Sequence, residues 1–211
     1  MNDMNNMLNI NQSIKYSRAL GPGIRAGIWL QGCQQNCPDC INPDTHDLSA
    51  RLLVQTSSLF DWTSSLEGIE GVTISGGEPL LQAQALTSYL TMVQEAGLSV
   101  ILYTGYTHND ILTRGSAGQK SILPYIDILI DGSFNKELAV SFRLKGSKNQ
   151  NYVFLSDRYS SVNINKYESS YLKNNSKEIF FSGNQTATII GWNNDNIDQN
   201  LMQLLYESCL L

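Results

Sequence analysis

Gln31-Gly32-Cys33-Gln34-Gln35-Asn36-Cys37-Pro38-Asp39-Cys40 decides how the rest of the chain is read. Three of the four cysteines lie inside this stretch, spaced C-x3-C-x2-C. Three thiolates on one tight loop match three irons of a cubane [4Fe-4S] cluster, which is normally held by four cysteines. The missing fourth ligand leaves one iron open to something other than protein, just as catalytic metal sites keep a position that structural sites fill. Other readings of the loop stand beside this one. Disulfides fit poorly with four cysteines in 211 residues, three of them crowded, and no secretory signal. A structural zinc site would recruit His46, six residues after Cys40, as its fourth ligand. Buried structural thiols fit poorly among Gln34, Gln35, Asn36 and Asp39.

Upstream of the loop, Ala26-Gly27-Ile28-Trp29-Leu30 has the apolar run of a buried strand. It delivers the cysteines at its C-terminal end, where α/β sheets bind ligands. Before it, Leu20-Gly21-Pro22-Gly23-Ile24-Arg25 punctuates a turn. Residues 1–12 are expected to form a loose arm, with Leu8 and Ile10 adding an edge strand. Downstream, Leu52, Leu53, Leu59, Trp62 and Leu66 give a helical stripe within 48–66. Gly71–Ser75 is a short strand followed directly by Gly76-Gly77-Glu78-Pro79. Leu81, Ala85, Tyr89, Met92, Val93 and Ala96 predict an amphipathic helix over 81–96. Strands over 98–103 and 126–130 follow, with a short helix from Asn109 to Arg114 stopped by Gly115. This alternation predicts a parallel sheet with crossover helices. The units are too few for an eight-stranded barrel of about 250 residues, so the expected class is α/β, a partial, open parallel β/α barrel.

The tail differs. Residues 145–178 are rich in Ser, Asn, Lys and Tyr, with few aliphatics apart from Tyr152–Leu155, and are expected to be loop with a local strand or hairpin, or a mobile segment. Ile179-Phe180-Phe181 and Thr186–Gly191 predict a hairpin. Asn196–Cys209 predicts a closing helix, with Cys209 a plain thiol. The chain is expected to be one domain, with a core of about 20–135 and a C-terminal extension of about 145–211 made of loop, hairpin and helix.

Hydrophobic residues make up 42% and charged residues 16%, so the chain is globular. A net charge of −5 gives no basic footprint for nucleic acid. Neither an apolar run of membrane-spanning length nor a signal peptide is present, so a cytoplasmic location is expected.

Together, the cysteine loop, the strand-to-Gly-Gly-Glu-Pro turn and the Gly-Pro-Gly-Ile-Arg turn resemble the radical S-adenosylmethionine (SAM) enzymes, and within them the glycyl-radical activating enzymes, above all those of anaerobic ribonucleotide reductase. Asn42-Pro43-Asp44-Thr45-His46-Asp47, Tyr103-Thr104-Gly105-Tyr106, Asp127–Gly132 and Lys145-Gly146-Ser147-Lys148-Asn149-Gln150 extend the resemblance, in the family's order. The residue before the last cysteine is apolar or aromatic in much of the superfamily and is Asp39 here, which favours main-chain contact at that point.

The resemblance implies a [4Fe-4S] cluster on Cys33, Cys37 and Cys40, with SAM chelating the fourth iron. It implies SAM contacts at Asp39, Cys40, Ile41, Gly76, Gly77 and Glu78; Thr104 and Asp131, at the C-terminal ends of their strands and facing the same mouth of a parallel sheet, are expected to make secondary SAM or substrate contacts. Reductive cleavage of SAM would give a 5′-deoxyadenosyl radical and then a glycyl radical on a large partner, anaerobic ribonucleotide reductase. The electron would come from a flavodoxin or ferredoxin. No catalytic residue is required beyond the cluster and SAM, because the cofactor carries the hard chemistry. Gly76 and Gly77 permit close backbone approach, and Glu78 suits an ammonium. Arg25 is expected either to pair with a carboxylate near the cluster, to dock a partner, or to be an ordinary surface residue. Two rivals remain: a radical SAM enzyme acting on a peptide or small molecule, in the manner of the deazaguanine synthases, and a zinc-binding interaction module built on the three cysteines and His46.

Overall fold

The computed structural model describes residues 6–141, 143–173, 177–182 and 186–191. The strands are β1 (Met7–Ser17), β2 (Arg25–Leu30), β3 (Leu53–Gln55), β4 (Gly71–Gly76), β5 (Ser99–Tyr103), β6 (Ile128–Asp131), β7 (Asn151–Phe154), β8 (Lys177–Ser182) and β9 (Thr186–Gly191). The helices are α1 (Thr56–Ser64), α2 (Ala83–Glu95), α3 (His108–Arg114), α4 (Ala117–Ser121) and α5 (Ser161–Tyr167).

Seven strands form one sheet in the order β3-β1-β2-β4-β5-β6-β7, and β8 pairs with β9 separately. The centre, β2-β4-β5-β6, is parallel, while β1 and β7 run antiparallel to their neighbours. Among the described residues the two edge strands do not meet, so the sheet is an open one, as expected. Short branched strands separated by helices leave no other way to connect parallel neighbours.

Side chains alternate across each strand, and both faces of the sheet are covered. Ala26, Ile28 and Leu30 of β2 join Val72, Ile74, Val100, Leu102 and Leu129 on one face, packed against Leu86, Tyr89, Leu90 and Val93 of α2. The Tyr89 hydroxyl meets Thr63 Oγ1 at 2.7 Å, so α2 is also keyed to α1. Each fully buried Leu or Ile here contributes about 1.5–3 kcal/mol. The second face carries Ile101, Ile128 and Ile130, with Trp29 and Tyr103 beside them, and is covered by Ile14, Leu20, Ile164, Leu172 and Ile190.

Several expectations change. Residues 7–17 are not a loose arm with an edge strand: β1 lies inside the sheet between β3 and β2, its Leu8 and Ile10 almost fully buried. The segment 145–178 holds more order than a loop. β7 pairs with β6, and α5 starts on a capping box of Ser160 and Asn163 and runs on into a π-helical turn, Glu168–Leu172. The hairpin forms as β8 and β9. The helix expected over 196–209, and Cys209 with it, lies outside the described residues.

Arg25 is also corrected. It neither docks a partner nor sits on the surface, but is fully buried at the N-terminal end of β2, opposite the end that carries the cysteines. Its guanidinium donates to Thr73 Oγ1 (2.8 Å), Ser99 Oγ (2.9 Å) and the carbonyls of Val72 (2.6 Å) and Ser99 (3.1 Å). Tyr159 links it onward to Glu70. Burial pushes its pKa down, and the neighbouring Tyr159 and Glu70 oppose this. Replacing it with Leu strands these buried acceptors, so Arg25→Leu is expected to cost about 3 kcal/mol in chemical denaturation.

Candidate active site

β2 and β4 are parallel neighbours in register Leu30↔Gly76, so the cysteine loop and the Gly-Gly-Glu turn leave the sheet side by side. Backbone bonds lace the two turns together. Gly77 N donates to Leu30 O and Glu78 N to Gly32 O, both at 2.8 Å. On the far side, Gly32 N donates to Thr45 O (2.8 Å) and Cys33 N to His46 O (3.3 Å). This lacing explains the paired glycines. A Cβ on Gly77 would sit 2.2 Å from Gly32 O, and one on Gly76 would sit 2.3 Å from Leu30 N. Gly76 also has φ +114°, open to glycine at little cost. The close approach they permit is between the two turns themselves, a role the sequence reading had assigned to ligand contact.

The three cysteines are free thiols, half-buried, and all three line one cavity of about 490 Å³. That is the size range of small-molecule and cofactor sites. Gln35 N donates to Cys33 Sγ and Asn42 N to Cys40 Sγ, each at 3.4 Å. Amide donors aimed at sulfur favour the thiolate, and such bonds are among the features that tune iron–sulfur clusters. The loop carries two non-glycine residues in the left-handed region, Asn36 (φ +49°) and Asp39 (φ +54°), which bend it around the thiols. Free thiols with amide donors, on a loop wrapped round one cavity, fit an iron–sulfur group.

Burial raises the Cys33 and Cys40 thiols above their ordinary range, against their amide donors; Glu78 adds to the rise at Cys33. Raised thiols are protonated at neutral pH, whereas iron binds thiolate. Iron loading is therefore expected to release protons and to speed up as pH rises. Iodoacetamide alkylation of the metal-free protein, followed by mass spectrometry, should show Cys33 and Cys40 reacting only at more alkaline pH than a free cysteine.

Glu78 is 1% exposed. Its Oε1 accepts from Leu80 N (2.9 Å) and Thr104 Oγ1 (2.8 Å), and its Oε2 from Gly105 N (2.8 Å) and Gln35 Nε2 (3.5 Å). Burial raises its pKa, opposed by these donors. Four donors take up the roughly four lone-pair sites of a carboxylate. The long Gln35 contact is the one an incoming cation displaces most cheaply, so Gln35 is a site residue the sequence did not single out.

Gly76, Gly77, Thr104, Asp39, Cys40 and Ile41 line the same cavity. The Asp39 carboxylate pairs with Lys136 Nζ at 3.0 Å, and Lys136 also lines the cavity. Asp131 is placed differently from expectation: its carboxylate accepts from His108 N (2.7 Å) and from Asn151 N and Nδ2 (3.2 and 2.9 Å), tying strand ends together. His46 also borders the cavity, with a buried Nε2 that has no hydrogen-bond partner. Among the described residues no three His, Cys, Asp or Glu side chains are grouped as a single metal ion would need. Trp29 and Tyr103 line the cavity floor and were missed by the sequence reading. The strand alternation carries their signal, since both share the parity of Arg25 or Ile101 rather than of the helix-packed face.

An open α/β sheet whose strand ends present three free thiols beside a Gly-Gly-Glu turn defines an iron–sulfur protein. Residues 19–153 match the family model described as "4Fe-4S single cluster domain", and the chain belongs to that family. It is similar to the anaerobic ribonucleoside-triphosphate reductase-activating protein of Vibrio cholerae, 32% identical over 140 residues, which are 62% of this chain and 87% of that protein. It is similar also to the pyruvate formate-lyase-activating enzyme of Listeria monocytogenes, 38% identical over 86 residues, covering 37% of this chain and 34% of that protein. Among solved structures, QueE from Escherichia coli aligns with a TM-score of 0.40 at 19% identity, over 48% of this chain and 54% of that one. The chain is a radical SAM activating enzyme with a single 4Fe-4S cluster. Among the described residues no helix is long and apolar enough to cross a membrane.

Proposed function

We propose that this enzyme generates a glycyl radical on a partner protein, and that the partner is an anaerobic ribonucleotide reductase. The observation that carries the reading is the meeting of Cys33, Cys37 and Cys40 with the Gly76–Glu78 turn on one cavity. The choice of partner rests on coverage: the match spans 87% of the Vibrio cholerae reductase-activating protein but only 34% of the pyruvate formate-lyase-activating enzyme.

In this reading Cys33, Cys37 and Cys40 hold three irons, and the amino and carboxylate groups of SAM take the fourth. When bound and reduced, the cluster would supply the one-electron reduction of SAM from which hydrogen-atom abstraction at the substrate glycine follows. The rest falls to the chain's own side chains. Glu78 would accept from an N–H of the SAM amino group in place of Gln35, with the carboxylate making this a charge-assisted contact of the stronger kind. Thr104 Oγ1 and Gly105 N keep the Glu78 carboxylate aimed while that exchange occurs. The main chain at Asp39–Ile41 borders the adenosine. Trp29 and Tyr103 keep water from the floor, where a reactive intermediate would otherwise be quenched. A flavodoxin or ferredoxin supplies the electron, and the whole chain acts as one cytoplasmic domain.

SAM binding is expected to weaken as pH falls through the raised pKa of Glu78, because a protonated carboxyl accepts less strongly from the SAM amino N–H and has lost its charge. Glu78→Gln should lower SAM affinity about tenfold or more, as loss of a charged hydrogen-bond partner worth 1.5–3 kcal/mol implies; equilibrium dialysis on the oxidised holoprotein measures it.

The test of the function is anaerobic incubation of the reduced holoprotein with SAM and the anaerobic ribonucleotide reductase of the same genome. A glycyl-radical EPR doublet on the reductase, with 5′-deoxyadenosine and methionine formed, is the expected result. SAM cleavage with no glycyl radical, but with a modified peptide or metabolite, would move the substrate to the rival class.

A further inference from the structure

The family match ends at residue 153, before α5 begins, and the segment from α5 onward lies outside it. Yet this segment does not hang off the sheet. Ile164, Leu172 and Ile190 are 1%, 4% and 5% exposed and share a hydrophobic cluster with Ile101, Ile128 and Ile130 on the second face of the sheet. Leu172 and Ile190 also line the cavity that holds the three thiols, alongside Leu20, Trp29 and Leu144. The cavity thus has two ends of different chemistry. One is sulfur and polar, built by the family-matched loops. The other is apolar, and the added segment helps to build it.

The segment also grips the cavity rim. Glu168, at the start of the π-helical turn, has a side chain only 2% exposed. It accepts from Leu144 N at 3.0 Å, from the Tyr152 hydroxyl and from the Arg143 guanidinium. Tyr103 OH donates to Leu144 O at 2.8 Å from the cavity floor. Arg143, Leu144 and Gly146 all line the cavity. One buried carboxylate therefore fixes the rim loop, and Leu172, four residues on, reaches the cavity from the same turn. Local π-helical turns occur often at functional sites.

We propose that the π-helical turn Glu168–Leu172, together with Ile190 of β9, forms the substrate-side wall of the reaction cavity: Leu172 and Ile190 set its width, and Glu168 is a positioning residue that holds the rim through Arg143 and Leu144. The wall admits a slender, uncharged stretch of backbone, because a charged side chain buried against Leu20, Trp29, Leu144, Leu172 and Ile190 would lose its water, and the nearby Arg143 is already paired with Glu168. This rests on the radical SAM reading above and adds to it that residues beyond the family match supply a wall of the cavity.

Three holoproteins test it: Glu168→Gln, Leu172→Trp and Leu172→Ala. In Glu168→Gln, hydrogen exchange followed by mass spectrometry should speed up about tenfold at residues 143–153, with iron content and exchange at residues 71–76 unchanged; tenfold corresponds to about 1.4 kcal/mol of lost local stability. Unchanged exchange at 143–153, or equal loosening at 71–76, overturns the clasp. In Leu172→Trp, SAM affinity should stay within about twofold of wild type while glycyl radical formed per SAM cleaved falls about tenfold or more, since small misplacements of a substrate cost that and more. Leu172→Ala should keep SAM affinity and admit a bulkier residue beside the glycine. SAM affinity falling in step with radical yield places Leu172 at the SAM end and overturns the wall. If the wild type cleaves SAM but forms no radical on the reductase, the partner reading fails by itself, and the exchange measurement still decides the clasp.

Discussion

Replacing Cys33, Cys37 or Cys40 singly by alanine is expected to abolish SAM cleavage, not to graduate it. The three thiols belong to different parts of one loop but serve one object. Each lines the same cavity, and two take amide donors from residues two positions on. Removing one leaves a cubane with an iron exposed and two ligands where three are needed. Groups that act as a unit are strongly non-additive, so the single variants should fall as far as the triple variant, to the uncatalysed background. Iron and sulfide analysis of each variant checks the cause, and 5′-deoxyadenosine measured by chromatography checks the effect. His46→Ala is the informative contrast. The zinc alternative needs His46 as a fourth ligand, so it predicts loss of metal in that variant, whereas the cluster account predicts full iron.

Gly77→Ala is expected to be strongly damaging, although it adds a single methyl group. Its Cβ would meet Gly32 O at 2.2 Å, Gly32 C at 2.7 Å and Thr45 O at 2.9 Å, all backbone atoms that cannot swing aside. Relief requires the cysteine loop to move off the β4 turn, which breaks the bonds from Gly77 N to Leu30 O and from Glu78 N to Gly32 O. Overpacking and lost buried hydrogen bonds together cost about 3 kcal/mol or more, and the loop that should gather the thiols is displaced. The variant should lose thermal stability and assemble little cluster. Gly68→Ala gives the comparison. Gly68 has φ +74° but nothing within 4 Å of an added Cβ, so only the left-handed penalty of about 1–2 kcal/mol applies and the cluster should assemble normally. Reconstitution yield by iron content, set beside the melting temperature, separates the two cases.

The centre of the fold and the heart of the site are legible in the residues because local signals agree there. The apolar run of β2, the cysteines at its end and the glycine pair at the end of β4 each point to parallel strands with a site at their C-terminal ends. Elsewhere the signals conflict. β1 alternates Leu8, Ile10 and Ile14 with Asn9, Asn11 and Ser13, which is strand periodicity, but an Asn-rich start to the chain hides it behind a loop-like composition. Burial between β3 and β2 is a tertiary fact that composition does not carry. α5 has Ile164 as its one buried residue, so no amphipathic stripe announces it, and packing against Ile128 and Ile130 supplies what propensity lacks. Asp131 was expected to face the cavity because it ends a strand; three donors from His108 and Asn151 turn it aside. Arg25 carries the same lesson, since a charged residue beside a Gly-Pro-Gly turn looks exposed until its buried acceptors are seen. Glu168 could not be read from the sequence at all, because the donors that define it lie 16 to 25 residues away.

The central claim is that this cavity holds a cluster with one iron left open for SAM. Anaerobic iron and sulfide analysis, with EPR of the dithionite-reduced protein recorded with and without SAM, tests it most directly. The account predicts about four irons and four sulfides per chain, and a reduced-cluster signal whose shape changes when SAM is added. One zinc per chain, no cluster after reconstitution and a spectrum indifferent to SAM would contradict it.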